Sequence, residues 1–402
     1  MMHRSGLMQA KCKCVMVGWI SLFVFSFSVG VQGSEFVQNS QHDTSKLAQN
    51  KIQTKSVGKN PFFIVVVGDS IAWGSGLVES EKFSSRVAKW LAQSLHGRRQ
   101  VVRVSCARAG AMFGKNIAAS EPQLCDNKVH INKSDKVAAI QQQVDMAVNT
   151  LRQQHDLGPE SVELVLMTGG MNDVGLPDIL DPEVGTEVLR VRTREIYQTA
   201  LTGDDGLLAK TARVFPKAKI IYAGNYNILS NASSSEVLLD IFPFSRAKSA
   251  EDLHQLKPQL VEQSTAFFEE SNKQIKLAIS KLEKSDQARL KFVIPDFKET
   301  DSIQRGKVNY STAQPPALYT LNELYEFDEM LQARVEICKG DVFCDYGSVG
   351  HPTRVGATKY ARAIQKAILP FMPTWIISGE MSSRNKTGQK KEKSVTNMYG
   401  GL

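Results

Sequence analysis

Phe62-Phe63-Ile64-Val65-Val66-Val67 is an unbroken apolar run that stops at Gly68-Asp69-Ser70. A short run with no polar alternation reads as a strand covered on both faces, as in a parallel sheet. Mostly apolar runs, each interrupted by one charged residue (Arg103, Glu163, Lys219, Lys291), occur at Val101–Val104, Val162–Met167, Ala218–Ala223 and Leu290–Ile294. Between them the apolar positions switch to helical spacing. Phe83, Val87, Trp90, Leu91 and Leu95 form one such stripe within residues 79–95. Further helices are predicted over about 137–151, over 183–213 with a break near Gly203, over 258–283 with Pro258 at the start, and over 321–336 and 355–368. Five strands separated by helices predict an α/β fold, a parallel sheet with helices on both faces. The pattern spans residues 61–372 as one domain without internal repeats. Two connections are long, Asn225–Lys257 and Pro295–Asn322, and both leave the C-terminal ends of strands, where loops wall ligand sites.

The chain ends read differently. Arg4, Lys11 and Lys13 precede an apolar run from Val15 to Val31, no acid occurs before Glu35, and small residues follow at Gly33-Ser34. This predicts a secretory signal peptide over residues 1–33, in preference to a membrane anchor, and hence a secreted or periplasmic protein. Residues 34–60 are polar and read as a linker. The stretch 381–402 reads as a basic, disordered tail, with Arg384, Lys386, Lys390, Lys391 and Lys393 against Glu392. Of the net charge of +8, three charges lie in the leader and a net four in the tail, which leaves +1 for residues 34–380. A nearly neutral body gives no reason to expect nucleic acid as a partner; weak attraction of the tail to anionic surfaces is the remaining electrostatic expectation. Outside the leader, Cys106, Cys125, Cys338 and Cys344 allow three disulfide connectivities. The local one, Cys106–Cys125 with Cys338–Cys344, is preferred because each link closes a loop beside a motif described next. No CxxC spacing occurs among the four, so no metal site is expected.

The strand ends carry the candidate chemistry. Ser70 follows the first strand, Gly110 follows the second within Cys106-Ala107-Arg108-Ala109-Gly110-Ala111, and Asn172 follows the third within Gly169-Gly170-Met171-Asn172-Asp173. His351, in Gly350-His351-Pro352-Thr353, immediately precedes the last helix. In open α/β sheets, ligands bind at the C-terminal strand edge. Acyl transfer needs a nucleophile, a base and donors aimed at a developing oxyanion, and these four blocks supply all three. Taken singly each has a bland reading: Ser70 as a helix N-cap, Gly110 as a turn residue, Asn172 as a cap, His351 as a helix-start residue.

This ordered set resembles the SGNH/GDSL hydrolase family, from about Pro61 to Leu369. The serine block reads Gly-Asp-Ser-Ile where the family usually has Gly-Asp-Ser-Leu. The GxSxG elbow of the other large serine esterase fold is absent around Ser70. The resemblance implies a three-layer α/β/α sandwich with a five-stranded parallel, flavodoxin-like sheet. It implies Ser70 as nucleophile, His351 as general base, and the Ser70 N–H, Gly110 N–H and Asn172 amide as oxyanion donors, with no cofactor. Asp69 and Asp173 are assigned to loop architecture. The activity implied is hydrolysis of a carboxylic ester of a lipid or an acetylated carbohydrate. An acyltransferase to a sugar or lipid alcohol, and a non-catalytic glycan- or lipid-binding protein, are the alternatives.

One position departs from the family. The usual acid three residues before the histidine is Ser348 here, and the nearest preceding carboxylate is Asp345. Either Asp345 reaches the imidazole through its glycine-containing loop, or a backbone carbonyl near Ser348 orients the ring. Phe242-Pro243-Phe244 is a candidate acyl pocket, with a local hydrophobic anchor as the bland reading.

Overall fold

The structure is a computed structural model and describes residues 60–114, 124–125, 137–234, 238, 249–303, 317–318 and 349–375. The leader, nearly all of the linker, the predicted helix 321–336, Phe242–Phe244, Cys338, Cys344, Asp345, Ser348 and the basic tail lie outside the described residues.

In chain order the elements are β1 (Phe62–Val67), α1 (Ser70–Trp73), α2 (Phe83–Ser94), β2 (Val101–Ser105), α3 (Ile140–His155), β3 (Val162–Met167), α4 (Met171–Val174), α5 (Leu176–Ile179), α6 (Thr186–Leu201), α7 (Leu207–Val214), β4 (Lys219–Ala223), α8 (Ala250–Ser280), α9 (Lys284–Gln287), β5 (Leu290–Val293) and α10 (Arg354–Ile368). The five strands form one sheet in the order β2-β1-β3-β4-β5, and every neighbouring pair is parallel. This is the three-layer α/β/α arrangement with flavodoxin-like strand order. All six residues of β1 are buried, as its unbroken apolar run requires of an inner strand. The edge strands β2 and β5 tolerate Arg103 and Lys291, since one flank of each is open.

From β1 the chain steps outward to β2, returns past β1 to β3, and continues to β4 and β5. Right-handed crossovers in opposite directions put their helices on opposite faces. Accordingly α2 packs with α10, while α3 packs with α7 and α6 with α8. Phe83 of α2 stacks on Tyr360 of α10 with ring centroids 5.5 Å apart. At the other end of this layer, Trp375 meets Phe62, the first residue of β1, edge-on at 5.0 Å.

Element bounds depart most from the sequence reading at three helices. The stripe over 79–95 divides into a 3-10 turn at Glu79–Glu81 and α2, with the break at Lys82. The helix expected over about 137–151 runs Ile140–His155. The helix expected to start at Pro258 starts at Ala250, with Pro258 inside it. Ser249 supplies the start signal, its side chain accepting the Asp252 N–H, and Glu251 and Asp252 place negative charge at the positive end of the helix.

Candidate active site

β1 delivers Gly68-Asp69-Ser70 to the C-terminal edge of the sheet. Ser70 is the first residue of α1, and Asp69 is its N-cap, accepting the Ile71 N–H at 3.0 Å. The Thr168 hydroxyl, at the end of β3, donates to the same carboxylate at 2.6 Å. Burial pushes the Asp69 carboxyl above the usual carboxylate range, and these two donors oppose the shift. The cap duty falls on Asp69, which leaves the Ser70 side chain available for other contacts.

A second support comes from α3. The Gln143 side chain is fully buried. Its Oε1 accepts the Gly68 N–H at 2.7 Å, and its Nε2 donates to Gly68 O at 3.0 Å and to Ala138 O at 3.1 Å. The side-chain amide thus acts as a strand neighbour for the last peptide before the serine turn. Sequence reasoning passed over Gln143, although a polar residue beside Ile140, Val144 and Ala147 on a buried helix face was a legible signal.

His351 Nε2 lies 2.7 Å from Ser70 Oγ, across 281 positions of sequence. Several bonds hold its loop. The Tyr226 hydroxyl donates to Gly350 O at 2.7 Å, the Thr353 N–H donates to Ala317 O at 2.9 Å, and Pro352 bridges to Leu318. Thr353 then caps α10, its hydroxyl accepting the Val355 and Gly356 N–H groups. Tyr226, just past β4, stacks on Phe297 at 4.9 Å. Burial raises its phenol well above the ordinary value, so it remains a neutral donor. Tyr226 also went unremarked in the sequence, where nothing marks a tyrosine after a strand as the partner of a glycine 124 positions away.

The loop after β2 and the turn after β3 brace each other. Asn172 Nδ2 donates to Ala111 O at 3.0 Å. The Phe113 N–H is shared by both oxygens of Asp173, at 3.0 and 3.1 Å. One amide proton of Asn172 is thereby fixed and the other kept for a further acceptor. Burial pushes the Asp173 carboxyl up to about 6; the Phe113 N–H opposes this and the nearby charge of Asp69 adds to it. Gly110 adopts φ +78°, a left-handed conformation, and open space surrounds its Cα. No bond among the described residues uses the Gly110 N–H, and the Ser70 N–H, in the first turn of α1, has no intrahelical partner. Gly170 has φ +104°, and a Cβ there would collide with Tyr197 and Phe113, so the turn carrying Asn172 closes against these rings only with glycine. The Cys106–Cys125 disulfide closes the loop between β2 and α3, as the local connectivity expects.

The described residues therefore bring Ser70 and His351 into contact and set Gly110 and Asn172 at the same sheet edge, on loops bonded to one another. Asp69 and Asp173 serve the loops. Asp345, the expected partner of His351, lies outside the described residues, as do Cys338 and Cys344. No group of three or more His, Cys, Asp or Glu able to hold a metal ion occurs among the described residues. No described helix is long and apolar enough to cross a membrane. The arrangement supplies a hydroxyl bonded to an imidazole with backbone and amide donors nearby, which is the equipment for acyl transfer.

No protein-family model matches the sequence, and no curated protein matches it. Among solved structures, the chain is similar to an extracellular lipase from Streptomyces rimosus, at 14% identity and TM-score 0.38, covering 76% of this chain and 99% of that one. It is similar to phospholipase A1 from Streptomyces albidoflavus, at 13% identity and TM-score 0.39, with coverage of 76% and 99%. A third, described as a GDSL-like lipase from Parabacteroides merdae, shows 11% identity and TM-score 0.28, with coverage of 76% and 96%. By its strand order and by the blocks at its strand ends, the chain is similar to the SGNH/GDSL hydrolases.

Proposed function

We propose that this protein is an exported serine ester hydrolase of the SGNH/GDSL type, acting on a carboxylic ester through an acyl-enzyme. The observation that carries the reading is the 2.7 Å contact between Ser70 Oγ and His351 Nε2 at the C-terminal sheet edge. As Oγ attacks the ester carbonyl carbon, Nε2 takes its proton. The carbonyl π pair moves onto oxygen, and that oxyanion is met by the Ser70 N–H, the Gly110 N–H and the second Asn172 amide proton. Collapse breaks the bond to the alcohol oxygen, which receives the proton from His351. Water then repeats the sequence on the acyl-Ser70 ester and releases the acid. Asp345, or a backbone carbonyl near Ser348, is the proposed acceptor for the other ring nitrogen. Lipid esters and acetylated carbohydrates are the substrate classes. The Cys106–Cys125 link supports export, because structural disulfides persist in oxidising compartments.

The test is labelling with a fluorophosphonate together with turnover of p-nitrophenyl esters of graded chain length. Wild type is expected to label once, on Ser70, and Ser70→Ala and His351→Ala each to lose about 10⁴-fold or more in kcat. A Ser70→Ala protein that keeps a tenth of the activity would remove the nucleophile assignment. An ester product on an added alcohol, in place of free acid, would turn the reading to acyl transfer.

A further inference from the structure

A groove of about 690 Å³ runs along α10, where Arg86, Arg354, Arg362 and Lys366 face it together with Ile294 and a single acid, Asp296. Arg354, Arg362 and Lys366 recur at multiples of four on α10 and so share one face, about 18 Å from end to end. Lys359, also in the lining, is engaged by Asp301 at 2.9 Å and by the Asp296 carbonyl. Among the described residues no carboxylate pairs with Arg354, Arg362 or Lys366. This is a concentrated cationic face on a chain whose residues 34–380 carry only +1 overall. Arg354, at one end of this row of cations, lies three residues past His351 in the sequence.

We propose that this face docks the enzyme on a bilayer surface rich in anionic phospholipid, with the Ser70–His351 pair at the docked end. The proposal deepens the esterase reading by naming the surface on which its substrate is presented. Three observations favour a bilayer over a short soluble anion. The cations extend over three helical turns, farther than one small anion reaches. Ile294 in the groove and Leu369 just past α10 are exposed by 38% and 55%, apolar positions that can enter the headgroup region beside the charges. Outside the described residues, the sequence C-terminal to Trp375 adds Arg384, Lys386, Lys390, Lys391 and Lys393 against Glu392, further positive charge on the same chain.

The experiment is co-sedimentation of the full chain with vesicles at about 0.1 M salt, close to physiological screening. It uses the Ser70→Ala background, so that the lipid stays intact. Binding is expected on phosphatidylglycerol–phosphatidylcholine vesicles and not on phosphatidylcholine alone, and it should weaken as salt rises. Each cation near such a surface contributes roughly fivefold, so Arg362→Gln/Lys366→Gln should lower partitioning about 25-fold. Arg152→Gln/Lys281→Gln removes the same charge from exposed positions in the other helix layer and should change it less than threefold, because charges well beyond a Debye length of about 10 Å are screened. Equal losses in the two double variants, binding to neutral vesicles, or binding to a soluble acidic polysaccharide with none to vesicles would each overturn the proposal. Binding without fluorophosphonate labelling of the wild type would sink the esterase reading alone; labelling without binding would sink this one alone.

Discussion

Replacing Gln143 by Leu tests how the nucleophile turn is held. Leu approximates the volume of Gln, so the change removes hydrogen bonds and leaves little cavity. Three bonds go: Gly68 N–H to Oε1, and Nε2 to Gly68 O and to Ala138 O. Gly68 O keeps the Arg108 N–H at 3.1 Å. The Gly68 N–H, in a buried residue, has no other partner among the described residues. An unmade bond at a buried donor costs roughly 1–3 kcal/mol. The Ala138 carbonyl, in another buried residue, adds to this, and the extra apolar burial of Leu returns about 1 kcal/mol. The net expectation is a loss of about 2 kcal/mol in urea unfolding at unchanged m-value. Freed from its clamp, the Gly68–Ser70 turn shifts relative to His351, and displacements below 1 Å cost up to about 10²-fold in rate. Hence kcat on a p-nitrophenyl ester should fall roughly 10–100-fold with KM nearly constant. Gln143→Glu retains an acceptor for the Gly68 N–H but sets a carboxylate against Gly68 O, and it should be no better. A Leu variant within about 0.5 kcal/mol of wild type, inside the range of ordinary surface changes, and with kcat within twofold, would refute the clamp.

Asn172→Ala should reduce kcat about 10²–10³-fold while KM moves little, since the proposed mechanism gives its second amide proton to the oxyanion; a change confined to KM would make Asn172 a substrate-binding residue. Asp173→Asn, which keeps an acceptor for the Phe113 N–H, should alter the pH dependence of stability. A carboxyl raised from 3.8 to about 6 binds its proton more tightly when folded. Its contribution is therefore full below about pH 4 and is lost as pH rises through about 6. The wild type minus variant difference, followed by urea unfolding, should slope downward across that window and be flat above it; a flat difference throughout would count against the shift. Cys106→Ser/Cys125→Ser should lower activity before it unfolds the sheet, because the link closes a loop and joins no two strands; thermal unfolding and turnover measured side by side will show whether the two losses separate.

The strands were legible because inner strands of a parallel sheet have no solvent face, so Phe62–Val67 is apolar throughout and Val162–Met167 is apolar but for Glu163, which pairs with Arg99. Ser70, Gly110, Asn172 and His351 were legible because each sits at an element boundary, where motif and topology coincide. The supports were not. Gln143, Thr168 and Tyr226 act through backbone groups of residues distant in sequence, and a backbone carbonyl leaves no trace in residue identity. The helix start at Ala250 was missed because Pro258 was weighed as punctuation, while the stronger local signal was the Ser249 cap with two acids behind it. Asp345 stays a proposal: its distance of six residues from His351 departs from the family spacing, and nothing described fixes it.

The packing of Tyr360 of α10 on Phe83, and of Trp375 beyond α10 on Phe62, joins the C-terminal end of the described domain to its first long helix and first strand. During synthesis the ribosome releases the serine early and the histidine some 281 residues later. Until α10 has emerged and closed against α2, the hydroxyl is without its base. The finished contact is thus a report that all five strands have been traversed, and a chain truncated before Arg354 should hold Ser70 and His351 without the helix that places the imidazole.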